Sequence, residues 1–207
     1  MASEHIYKQF DSDLEAIRAK VLEMGTLVEE QTSNAVKSLI ETDIKLAEEV
    51  MKRDDQINDL ELLIDEEASL LIAKRSPAAG DLRNIMMMLK IITDLERMGD
   101  EATKIARSTT RIFEDNRMSK LRFSEIKGMA KAVQGMIKTA LNSFARLDLS
   151  DTIDILEKDK QVDDDYRSCM RQLLTFMLED PRTISMSLES MFIAKSLERI
   201  GDHAVNI

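Results

Sequence analysis

Apolar side chains recur along the chain in steps of three and four. Ile91, Leu95, Met98, Ala102 and Ile105 form one series, and Ile193, Leu197, Ile200, Ala204 and Ile207 form another. Residues at those intervals share one face of an α-helix, so each series predicts a stripe turned towards a bundle core. Breaks in the pattern are few. Pro77 and Gly80 mark one turn and Pro181 another, because proline cannot continue a helix and glycine tolerates tight turns. The pattern predicts six helices: roughly Ile6–Glu41, Asp43–Lys74 and a third reaching Phe113, then Leu121–Leu147, Ser150–Leu178 and Thr183 to the chain end.

The second half of the chain repeats the first. At a shift of 105 residues Met24 falls on Met129, Val28 on Val133, Ala35 on Ala140, Asp54 on Asp159 and Ile57 on Val162. Near the end of each half the shift drops to 102, so Leu95-Glu96-Arg97 meets Leu197-Glu198-Arg199 and Gly99-Asp100 meets Gly201-Asp202. A three-residue deletion in the turn near Pro181 accounts for the change. Short turns make neighbouring helices antiparallel, so each repeat reads as an up-down-up three-helix bundle. The fold expected is all-α: two tandem bundles, 1–115 and 116–207, in an elongated molecule with helices about 45 Å long. The last stripe stops at Ile207 in mid-pattern, which suggests a helix that continues.

Composition agrees with long helices. Leu, Met, Ala, Glu and Lys are plentiful, while two Pro and six Gly leave few breakers among 207 residues. Hydrophobic residues make up 43%, enough for a core, and the 14 Met sit mostly in the apolar stripes, as core fillers. Lys and Arg number 29 against 39 Asp and Glu, a formal charge of −10 that repels nucleic-acid phosphates and anionic membrane surfaces. Neither nucleic-acid binding nor membrane insertion is expected. The longest apolar runs, such as Ile85–Leu89, fall far below the ~20 residues of a membrane span. The first 25 residues, with Glu4, Asp11, Asp13 and Glu15, do not read as a signal peptide. Cys169 is the single cysteine, lies in an apolar stretch and reads as a core residue; a chain without an internal disulfide suits the cytoplasm.

One acidic word is shared by both halves. Leu95-Glu96-Arg97-Met98-Gly99-Asp100 returns as Leu197-Glu198-Arg199-Ile200-Gly201-Asp202. Residues four apart stack on one helical face, so Glu96 with Asp100, and Glu198 with Asp202, form carboxylate pairs that repel by a few tenths of a kcal/mol. A mid-helix glycine costs about 1 kcal/mol against alanine. The second helix of each half carries Asp54 with Asn58 and Asp159 with Asp163 at the same spacing. In an antiparallel hairpin these face the acidic word. Oxygen ligands from two helices suit a hard cation (magnesium, calcium, manganese or iron) better than zinc or copper. Two other readings stay open. Chance alone supplies about seven acidic pairs at this spacing, so a solvated face is the plain alternative. Asp55 and Asp59 offer a second frame one step round the helix.

At these words the chain resembles the PhoU family of phosphate-transport accessory and regulatory proteins, over essentially its whole length. The resemblance rests on residues 95–106 (LERMGDEATKIA) and 197–207 (LERIGDHAVNI), with 73–83 (AKRSPAAGDLR) and 176–185 (FMLEDPRTIS) before them. It implies two three-helix bundles and an E(D)xxxD motif, which falls here on Glu96–Asp100, Glu198–Asp202, Asp54–Asn58 and Asp159–Asp163. Asn58 departs from a strictly acidic motif. The resemblance further implies a cytoplasmic negative regulator of the phosphate-starvation response. Such a protein links the ATPase subunit of the phosphate ABC transporter to a sensor histidine kinase, and forms homodimers or higher oligomers. Metal ions on the acidic motifs are implied too: multinuclear iron, with manganese or magnesium as the alternative.

Enzymatic readings find little support. A di-iron carboxylate enzyme on a bundle needs Glu-x-x-His pairs, and neither His5 nor His203 has Glu three residues before it. His203 reads as exposed rather than as a metal ligand. It also makes a poor phosphotransfer residue, since Glu101 occupies its place in the first repeat. No phosphate-cradling glycine loop, Ser-His-Asp set or Cys-x-x-Cys pair occurs.

Overall fold

The structure is a computed structural model that describes residues 2–114 and 124–207, with side chains from Gln9 onwards in the first helix. It consists of α1 (Ala2–Glu41), α2 (Ile44–Arg75), α3 (Ala79–Glu114), α4 (Ser124–Arg146), α5 (Thr152–Glu179) and α6 (Ile184–Asn206), with one 3-10 turn, Pro181–Thr183, before α6. The boundary expected between residues 115 and 116, and the helix start expected at Leu121, lie outside the described residues.

Local chemistry sets the turns. Asp43 caps α2 by accepting a hydrogen bond from the Leu46 amide at 3.0 Å. The residue before each hairpin turn, Thr42 and its repeat counterpart Leu147, has φ of 60° and 53°, so both repeats reverse direction through the same left-handed step without glycine. Ser76 closes α2 in the same backbone region. Asp180 accepts from the Arg182 amide at 3.0 Å and starts the 3-10 turn at Pro181.

Helices α2 and α5 each bury a narrow stripe: Ala47, Val50, Ile57, Ile64, Ala68 and Leu71 in α2, and Ile155, Val162, Cys169 and Leu173 in α5. The third helix of each repeat is different. α3 packs on α1 and α2 and also on α6, which itself packs on α4 and α5. Ile91, Leu95, Met98, Ala102 and Ile105 are buried as their spacing predicts, as are Ile193, Leu197, Ile200 and Ala204. The buried residues form one continuous core through both repeats.

Polar contacts define how α3 and α6 meet. His203 Nδ1 lies 2.8 Å from Asp94 Oδ1, Ser196 donates to Glu101 at 2.7 Å, and Arg111 is 3.5 Å from Glu189. Residue numbers rise on one helix as they fall on the other, so the two helices run antiparallel. Asp94 is the repeat counterpart of Ser196, and Glu101 that of His203, so the first two contacts are one contact seen twice across an internal pseudo-twofold axis. Glu101, 2% exposed, also pairs with Arg199 at 2.6 Å and Lys104 at 3.0 Å. His203 is therefore not the exposed residue its composition suggests. It is 9% exposed and tied to the other repeat, because the duplicated third helices bury each other's flanks. No helix of the described residues is long and apolar enough to cross a membrane.

Candidate functional site

The acidic words sit on the two central helices, each against the second helix of its own repeat. Glycine sets that approach. A Cβ on Gly99 would lie 3.0 Å from Ile57 Cδ1 and 3.5 Å from Asp54 Oδ1, so α3 rests directly on α2 beside the Asp54 carboxylate. Gly201 does the same for Asp159, with Met136 Cε 3.6 Å and Asp159 Oδ1 3.8 Å from a Cβ in its place. The frame of Asp54 and Asn58 is the one turned to α3, both half-buried, whereas Asp55 and Asp59 are exposed.

In the first repeat four carboxylates crowd together. Burial raises the Glu96 carboxyl above its ordinary range, and the charges of Asp100, Glu61 and Asp54 raise it further, with Arg97 offsetting part. Glu61 is raised as well, by burial and then by Asp65, again against Arg97. Glu61 was not among the residues singled out by sequence. It lies seven after Asp54, two turns along the same face of α2, and that spacing is the signal that could have found it. Asp54 has one neutral donor. The buried Gln31 amide of α1 reaches its Oδ1 at 3.1 Å and Thr103 Oγ1 of α3, also at 3.1 Å, so one side chain ties the three helices together at the edge of the cluster.

The second repeat gathers Asp159, Asp163, Glu198 and Asp202. Burial raises the Asp159 carboxyl, and the charges of Asp202, Asp163 and Glu198 add to it. Here cations are already present. Lys195 Nζ lies 2.5 Å from Glu198 Oε2 and 5.5 Å from the Tyr166 ring centroid, and Arg167 is 3.3 Å from Asp163. Burial works against the Lys195 ammonium, yet Glu198, Tyr166 and Asp202 leave it raised overall. Asp202 is exposed, unlike the other seven residues of the two motifs. Among the described residues, no three His, Cys, Asp or Glu side chains are gathered tightly enough to hold a metal ion as they stand.

Comparison with known proteins decides the family. The PhoU domain model matches the chain twice, at residues 21–109 and 126–207. The chain belongs to the PhoU family. The phosphate-specific transport system accessory protein PhoU homolog of Pseudomonas putida is 45% identical over 99% of this chain and 80% of its own. That of Escherichia coli, named phosphate-specific transport system accessory protein PhoU, is 40% identical over 99% and 84%. The crystal structure of PhoU from Pseudomonas aeruginosa superposes with a TM-score of 0.91 at 45% identity, over 95% of this chain and 94% of that one. The phosphate transport system regulatory protein PhoU from Streptococcus pneumoniae gives 0.86 at 28% identity, over 95% and 92%. These are accessory and regulatory proteins, not enzymes.

Proposed function

We propose that this protein is a cytoplasmic negative regulator of phosphate uptake and of the phosphate-starvation response. It acts as a non-enzymatic adaptor between the ATPase subunit of a phosphate ABC transporter and a sensor histidine kinase. The observation that carries the reading is likeness to PhoU proteins over 99% of the chain, with both acidic words inside the stretches that the PhoU domain model matches. A single cysteine, buried and with its thiol pushed up to about 11, fits a chain without disulfide or thiol chemistry. Deleting its gene from cells grown in ample phosphate will switch on a phosphate-starvation reporter, and the intact gene will restore repression. A reporter that stays silent after deletion contradicts the regulator. Immobilised protein will retain the purified ATPase subunit and the kinase's cytoplasmic part; loss of both contradicts the adaptor.

The acidic clusters are proposed to take metal ions, as multinuclear iron or as manganese or magnesium. Their donor chemistry fits: all donors are side-chain oxygens, and the Glu96 and Asp159 carboxyls, which burial and neighbouring carboxylates push towards protonation, are stabilised by a hard cation. In the first repeat Asp54, Asn58, Glu96 and Asp100, with Glu61 beside them, would hold it after side-chain rotation draws the oxygens together; in the second, Asp159, Asp163, Glu198 and Asp202 offer the equivalent donors, although Lys195 and Arg167 already stand against Glu198 and Asp163. Bound there, the ion supplies positive charge that clamps α2 to α3, or α5 to α6.

A further inference from the structure

The two clusters are built on equivalent backbone yet filled differently. At a shift of 105, Tyr166 stands where the first repeat has Glu61, and Arg167 where it has Leu62; at a shift of 102, Lys195 stands where it has Thr93. Thr93 carries no charge and donates to its own helix at the Leu89 carbonyl, 3.1 Å away. Lys195 instead lies 2.5 Å from Glu198 and over the Tyr166 ring, a face that attracts ammonium groups. Each of the three exchanges either removes an acid or adds a base on the second repeat. Around the first cluster Arg97 is the cation at hand, and among the described residues it forms no ion pair with Glu61 or Glu96. Its counterpart Arg199 is turned away from its own cluster to Glu101 of the other repeat.

We propose that Lys195 is the built-in counter-ion of the second cluster, holding the place an external cation would take, so that divalent-cation binding falls to the first cluster alone. The second half of this statement rests on the cation-binding reading above and confines it to the first cluster. Lys195 thus acts as a specificity-determining residue, with Tyr166 as its platform and Glu198 as its anchor. An ammonium that is covalently part of the chain needs no free-ion concentration: it neutralises Glu198 of its own helix, α6, and reaches α5 through the Tyr166 ring, whether or not metal is available.

Metal-free protein titrated with Mn2+, followed by the loss of the free-ion electron paramagnetic resonance signal, tests this. Wild type will show one class of site, lost in the Glu96→Gln/Asp100→Asn double variant and retained in Glu198→Gln. Lys195→Thr, which restores the first-repeat residue, will add a second class at least tenfold tighter than any weak binding there in wild type, and Glu198→Gln on top of it will remove that class. Two comparable classes in wild type, or one class in Lys195→Thr, overturns the role of Lys195 and leaves the cation-binding reading standing. Binding in neither protein overturns both. A second measurement needs no metal: in a thermal double-mutant cycle, Lys195→Thr lowers Tm by about 2 °C in wild type and by less than half that in the Glu198→Gln background. Equal drops in the two backgrounds contradict the pairing.

Discussion

Repulsion among neighbouring carboxylates is the clearest single-residue signature of the first cluster. Glu96 has its carboxyl raised by burial and by Asp100, Glu61 and Asp54, so the folded protein binds its proton more tightly than the unfolded chain does. Stability contributed by such a group is greatest below the ordinary carboxylate range and declines as pH rises through it to the folded value. In metal-free protein Glu96→Gln therefore gains a few tenths of a kcal/mol at pH 7, the size of a like-charge pair on a helix face, and the gain disappears near pH 4. Urea unfolding at the two pH values measures it; a variant less stable than wild type at pH 7 would show that the carboxylates are not in conflict. The spacing of four made the pairs Glu96–Asp100 and Glu198–Asp202 legible in the sequence. Glu61 was signalled only by its spacing of seven from Asp54, and Lys195 and Tyr166 not at all, because their importance depends on which faces of α5 and α6 meet, and one helix's periodicity does not state its neighbour's rotation.

Helix pairs carry the next consequence. Gly99 and Gly201 occupy the same place in the repeated word, yet their surroundings differ by about half an ångström. A methyl on Gly99 would press on Ile57, which is buried and has little room to yield, while one on Gly201 meets Met136 at ordinary contact distance. Replacing a mid-helix glycine by alanine is worth about 1 kcal/mol where nothing clashes. Gly201→Ala is thus expected to stabilise by about 0.5–1 kcal/mol, and Gly99→Ala to be neutral or destabilising, in chemical denaturation. Equal gains in both variants would mean that α2 and α3 are not in the close contact described. The glycine was visible in sequence as an unfavourable helix residue present in both repeats. Its partner was hidden, because Ile57 and Met136 come from different helices, α2 and α4, and are not repeat counterparts of one another.

Two repeats make one molecule chiefly through α3 and α6, with α1 packed on α4 and Arg18 donating to the Phe144 and Ala145 carbonyls beside them. The duplication, the six helices and the core stripes were all readable from a single sequence, since regular burial leaves a regular pattern. The joint between the repeats was not. Its polar contacts, Glu101 with Ser196 and Arg199 and His203 with Asp94, lie between stretches that sequence periodicity treats separately, and His203 consequently looked solvent-facing. Glu101 is buried at this joint, so Glu101→Ala strands the Ser196 hydroxyl and the partly exposed Arg199 guanidinium. A loss of about 1–3 kcal/mol is expected, with Glu101→Gln losing less because its amide still reaches Ser196; unfolding free energies unchanged in Glu101→Ala would contradict a joint held by this residue. The central claim is that carboxylates on facing helices share a positive ion. Elemental analysis of protein purified without a histidine tag tests it most directly. Stoichiometric iron or manganese in wild type, absent from the Glu96→Ala/Asp100→Ala variant, is the predicted result; metal equally absent from wild type, or unchanged in the variant, would contradict it.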